Sequence, residues 1–150
     1  MKPKNLTNHP EGGRFAEIFK SNCKVTTSDG KERTALTHIY FSLNPGEVSK
    51  FHKVASDEVW NLYEGTGLLL YIWDGRSDQM EIVELSKHER EYCHIVPAGM
   101  WQAAEPIHDT ILAGCSVAPG FEFEDFELID PAGEEASLLL KYFSDIKKFL

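Results

Sequence analysis

Cysteine is scarce in this 150-residue chain: Cys23, Cys93 and Cys115 are an odd number, lie far apart and form no C-x-x-C pair. That pattern argues against a disulfide framework and against a structural zinc site. Positive charge is also short, with 15 lysines and arginines against 24 aspartates and glutamates and a formal net charge of −9. The chain therefore lacks the general attraction for polyanions that nucleic-acid binding needs. No apolar run approaches the ~18 residues of a membrane span, and the opening MKPKNLTNHPEGG has no apolar leader core. The expectation is a cytoplasmic protein with neither nucleic acid nor a membrane as partner. Internal repeats, linkers and low-complexity tracts are absent as well. The acidic residues between Glu122 and Glu135, and the lysines Lys141, Lys147 and Lys148, read as solvated faces.

What is present is ordinary globular composition, 42% hydrophobic and 26% charged, which over this length supports one domain, residues 1–150, with a core of its own. From Thr34 to Leu128 short β-rich runs alternate with turn residues. Ala35 to Leu43 ends at Asn44-Pro45-Gly46, Glu58 to Tyr63 at Glu64-Gly65-Thr66-Gly67, and Leu68 to Trp73 at Asp74-Gly75-Arg76. Such short connections join antiparallel neighbours or Greek-key partners, which excludes a Rossmann-type sheet. Leu138, Leu139, Tyr142, Phe143, Ile146 and Phe149 then recur at spacings of three and four, a helical apolar face. The predicted fold is all-β, a barrel over about 34–128, its outside covered by a short C-terminal helical segment over about 134–150 that breaks near Phe143.

Two segments carry the chemistry. In Gly46-Glu-Val-Ser-Lys-Phe-His52-Lys-Val54-Ala-Ser-Asp-Glu58-Val-Trp60-Asn-Leu-Tyr-Glu-Gly65, His52 and Val54 share one face of a strand, and Glu58 opens the antiparallel return. The segment resembles the first cupin motif, G-x5-H-x-H-x3-E-x6-G. Further on, Pro97-Ala98-Gly99-Met100-Trp101-Gln102 resembles the second, P-x-G-x2-H, with Gln102 in the place of its histidine. The proline-glycine turn would swing Gln102 onto a strand facing His52 and Glu58. Further likeness lies in His9-Pro10-Glu11-Gly12-Gly13-Arg14-Phe15 and in Gly114-Cys115-Ser116-Val117-Ala118-Pro119-Gly120-Phe121. Together these segments resemble the fifth branch of the cupins, single-domain jelly rolls, from about His9 to Asp130. The resemblance implies a double-stranded β-helix, a homodimer, and a small-molecule pocket similar in shape to that of the dTDP-sugar epimerases.

The metal set of a cupin, three histidines and a glutamate, reads here His52, Val54, Glu58, Gln102. Val54 cannot coordinate and an amide is a weak ligand, so His52, Glu58 and Gln102 offer at most a loose site for zinc, nickel, iron or manganese, and no cofactor is required. His94 is a further donor if it points inward, and otherwise a satisfied core histidine. Without metal, His52 suits acid–base work as the base, oriented by a Glu58 whose pKa burial would raise. Epimerases of similar shape add a tyrosine acid. Tyr40, Tyr63 and Tyr71 are available, alternation alone does not choose among them, and Tyr63 is carried as the candidate.

Phe51, Trp60, Trp101 and Phe121 are candidate pocket walls, with core packing as the alternative. Glu11 and Arg14 are candidate rim residues, Arg14 for a substrate carboxylate or phosphate. Cys115 reads as a buried structural thiol. The functional expectation is an isomerase or epimerase acting on a sugar-like or other small polar metabolite. A non-catalytic ligand-binding module and a weakly metal-dependent oxygenase or lyase are the alternatives.

Overall fold

The computed structural model describes residues 5–150; Met1 to Lys4, the start of the stretch read for a leader, lie outside the described residues. The chain runs β1 (Thr7–Asn8), β2 (Arg14–Lys20), β3 (Lys24–Thr26), β4 (Glu32–Thr34), β5 (Thr37–Leu43), β6 (Ser49–Val54), β7 (Asp57–Glu64) and β8 (Gly67–Trp73). It continues through β9 (Glu81–Ser86), β10 (Cys93–Val96), β11 (Trp101–Pro106), β12 (Ile111–Ala118), β13 (Phe126–Leu128) and α1 (Glu134–Tyr142). A six-stranded sheet in the order β1-β2-β5-β12-β7-β10 faces a five-stranded sheet in the order β13-β6-β11-β8-β9, and β3 and β4 form a separate hairpin. The pairings within both sheets are antiparallel. This is the double-stranded β-helix expected, all-β with one short C-terminal helix.

The barrel starts earlier than residue 34, because β2 pairs with β5 along Arg14 to Lys20. Its sequence, RFAEIFK, carries three charges, and a bulge between Glu17 and Phe19 interrupts the period of two that marks a strand. The stretch Glu122 to Leu128 is mostly not strand: a 3-10 turn at Phe123–Asp125 precedes β13, which pairs with β6.

Strands β7 and β12 show the alternation that builds the inner core. Trp60 and Leu62 point between the sheets with Ala113 and Cys115, while Asn61, Tyr63 and Ser116 face out. Strand β6 is buried on both faces, because its outer side lies under the C-terminal segment. Helix α1 stops at Phe143, and a 3-10 turn at Lys147–Phe149 brings Phe149 back onto Phe51 and Tyr71. Ala136, Leu139, Ile146 and Phe149 complete a second cluster with Phe51, Trp73 and Trp101. Burial of each large side chain there is worth about 1.5–3 kcal/mol.

Candidate active site

A cavity of about 90 Å³ opens between the sheets, lined from β2, β5, β6, β7 and β12 and from the loop through Phe121 and Phe123. Sheet alternation aims His52 and Val54 into it from β6, and Glu58 and Trp60 from β7. The volume admits several waters or a small metabolite, and only the reacting end of a larger one.

The amino-terminal arm supplies what the barrel lacks. Between β1 and β2 the arm folds into a tight loop in which Gly12 N–H donates to the His9 carbonyl at 3.1 Å and Lys50 N–H donates to the Glu11 carbonyl at 2.8 Å. Gly12 has φ +111°, and a Cβ there would collide with the Val48 carbonyl oxygen, so the seat accepts glycine alone. The loop buries Glu11 beside His52, with Glu11 Oε2 3.2 Å from His52 Nε2 and 3.3 Å from His9 Nδ1. Glu11 Oε1 accepts the Ser49 hydroxyl at 2.7 Å. A bulge makes this double contact possible: Gln102 pairs with His52 but Ala104 pairs with Ser49, so residues three apart on β6 both reach inward.

Two buried glutamates are driven in opposite directions. Burial pushes Glu11 upward, but the charge of His52 and the contacts to His9 and Ser49 outweigh it, and its carboxyl lies below the usual range. Burial dominates at Glu58, whose carboxyl is raised; Glu11 adds to the rise, while His52, Gln102 and Cys115 oppose it. Gln102 Nε2 donates to Glu58 Oε2 at 2.7 Å, and Gln102 Oε1 accepts Trp60 Nε1–H at 2.7 Å. The Cys115 thiol, also in the cavity wall, is pushed well above its ordinary value by burial, with Glu58 adding to it. It is a buried thiol, as its sequence setting suggests.

The sequence candidates divide accordingly. His52, Glu58, Trp60, Glu11 and Phe121 line the cavity, with Gln102 one hydrogen bond behind. Phe51 and Trp101 do not: each is odd-numbered from an inward neighbour on its strand, so both point the other way into the cluster under α1. Tyr63 lies five residues after Glu58 and so faces out, 48% exposed, with its hydroxyl 3.2 Å from His38 Nε2. Arg14 is held away from the cavity by a bidentate pair with Glu47, both contacts 2.9 Å. Of the other tyrosines, Tyr40 faces out beside Tyr63, and Tyr71 lies against Phe149 with its hydroxyl on Glu105. His94 is half-exposed between Glu81 and Glu91 and adds no donor. His9 was missed as a site residue. Its signal was the His9-x-Glu11 spacing, which carries no strand or helix periodicity because the segment is a loop.

A family model described as Cupin superfamily (DUF985) matches residues 1–129. The chain belongs to that cupin family. A hypothetical protein from Leishmania major is 28% identical with a TM-score of 0.84, over 96% of this chain and 92% of that one. A Shewanella oneidensis protein is 30% identical with a TM-score of 0.81, over 96% and 90%. A point mutant of Bacillus subtilis oxalate decarboxylase shares the fold at 14% identity and a TM-score of 0.61, with this chain spanning 37% of its length. No curated protein matches the chain.

For a cupin, the donor set is poor. Val54 stands where a histidine would coordinate, and both ends of the Gln102 amide are engaged by Trp60 and Glu58. His9, Glu11, His52 and Glu58 bring two imidazoles and two carboxyls to the cavity, but among the described residues no three of them converge as a ligand set, Glu11 being spent between the two histidines, so the site does not fit a transition metal held by three or four good donors.

Proposed function

We propose that this pocket moves protons on a small polar metabolite, as an isomerase or epimerase does, with Glu58 as base and His52 as acid. The observation that carries the reading is the bonding of His52. Its Nδ1 lies 2.8 Å from the Lys50 carbonyl and its Nε2 3.2 Å from Glu11. Both ring nitrogens thus face acceptors, an arrangement that suits the doubly protonated ring and makes it a donor. Across the cavity the raised carboxyl of Glu58 is a stronger base than an ordinary glutamate. In one turnover Glu58 takes the proton from a carbon beside a carbonyl, His52 protonates the carbonyl oxygen, and re-protonation at carbon returns both groups to their starting states. Glu11 then orients His52 and balances its charge, the part first given to Glu58.

The test is incorporation of solvent deuterium into a panel of small hydroxy ketones and aldoses, read by mass spectrometry. Glu58→Gln abolishes it and His52→Gln lowers it about a hundredfold or more; unchanged exchange in Glu58→Gln overturns the assignment. One observation favours a non-catalytic binding module: Glu11 and Glu58 already have hydrogen-bond partners within the protein. Stabilisation by a panel member without exchange selects that reading.

A further inference from the structure

We infer that the pocket selects a small ligand bearing an ammonium group and rejects anions, phosphorylated sugars included. The inference takes its location from the pocket described above and needs no turnover. Among the described residues that line the cavity there is no lysine or arginine, whereas three carboxyl side chains, Glu11, Glu17 and Glu58, face it together with His9 and His52. With both imidazoles protonated and Glu58 neutral, Glu11 and Glu17 just cancel them. Every other combination that leaves Glu11 and Glu17 ionised makes the wall net negative.

The cations that meet the rim loop are already engaged. Lys20 lies 2.8 Å from Glu122, Arg33 2.6 Å from Asp125, and Lys53 3.0 Å from Glu127. Arg14, the cation first considered for a phosphate, belongs to Glu47. An anionic ligand would therefore lose its hydration without finding a cation that is not already paired with a carboxylate, at a large cost in a buried cavity.

The rest of the wall suits a cation. Phe15, Phe41, Trp60, Phe121, Phe123 and Phe126 face the space. Phe121, Phe123 and Phe126 meet edge-on, with centroids 5.1 to 6.2 Å apart. Aromatic faces attract a positive charge through their quadrupoles, and the attraction strengthens where water is excluded. A carboxylate inside such a ring of aromatics is the arrangement that holds organic ammonium groups.

Three probes of nearly one shape and different charge test this: isobutylamine (as its cation), isobutanol and isobutyrate, titrated at neutral pH against the whole chain and followed by protein NMR. The expected order of affinity is ammonium, then alcohol, then carboxylate, with about tenfold or more between first and last. Glu11→Gln reduces that ratio. Glu17→Gln, at an exposed position that does not endanger folding, lowers ammonium affinity about twofold or more. Isobutyrate binding as well as isobutylamine, isobutanol matching it, absence of ammonium binding in the millimolar range, or a Glu17→Gln chain that binds it unchanged would each overturn the inference. Absence of deuterium exchange leaves the inference intact, so the two readings fail separately.

Discussion

Strands β6 and β11 separate two regions that are equally dry and chemically opposite. On the lumen side His52 is 2% exposed and Gln102 1%; on the side under α1, Phe51 is 0% exposed and Trp101 3%. Phe51 and His52 are neighbours in sequence, as are Trp101 and Gln102. The outer cluster is held chiefly by buried apolar area from Phe51, Trp73, Trp101, Leu139 and Phe149, with one indole hydrogen bond, from Trp73 to the Ser77 carbonyl, and Lys53 over the Trp101 ring. The lumen end contains Glu11, Ser49, His52, Glu58 and Gln102, each satisfied by a named partner. Buried polar groups of this kind cost stability unless fully bonded. The outer layer thus supplies the packing that leaves the inner face of the same strands free for chemistry.

The largest effect is expected from breaking the outer side. Trp101→Ala should cost about 3–5 kcal/mol, read as a lower denaturation midpoint; a loss below about 1 kcal/mol would show that the outer cluster does not support the sheet.

A smaller change sharpens the inner side. Glu58 is raised on folding, so its proton stabilises the fold fully below the ordinary glutamate value, and that contribution is lost as pH rises through the raised folded value. Glu58→Gln keeps the shape without the charge. Its melting temperature should match wild type in acid and exceed it once the pH passes the raised folded value of Glu58. A gap that stays constant with pH would contradict the assignment. Glu11 runs the other way: lowered on folding, it contributes above the ordinary glutamate value and loses that contribution as pH falls through its folded value. The acid limb of the wild-type stability profile should therefore persist in Glu58→Gln and shrink in Glu11→Gln.

The smallest effect belongs to the arm's outer clamp. Arg14 and Glu47 are 27% and 36% exposed at their side chains, and Arg14→Ala should cost about 0.5 kcal/mol and leave ligand affinity unchanged. A large loss of affinity would return Arg14 to the site.

Residue alternation explains both what the sequence disclosed and what it concealed. Two-residue spacing placed His52 with Val54 and Glu58 with Trp60, and the short turn between β6 and β7 brought them together. The same rule, applied to the five residues between Glu58 and Tyr63, turns that tyrosine outward, and applied to Phe51 and Trp101 it turns them away from their inward neighbours. Glu11 was legible as a rim residue but not as the partner of His52. Its position depends on a loop with two positive-φ glycines, Gly12 and Gly13, and on a bulge in a distant strand pair, neither of which has a period to read. Strand β2 was hidden by its charges and its own bulge. The C-terminal break at Phe143 was visible because the apolar face changes stride there.

The seat at Gly12 has a wider consequence. His52 is rooted in the barrel and its carboxylate partner is delivered by a strap of five residues, His9 to Gly13, locked in place at a spot with no room for a methyl group. Exchanging that strap would change the charge and proton inventory of the chamber while leaving every sheet pairing untouched. The contents of the chamber are thereby set in part by one short loop outside the sheets that enclose it.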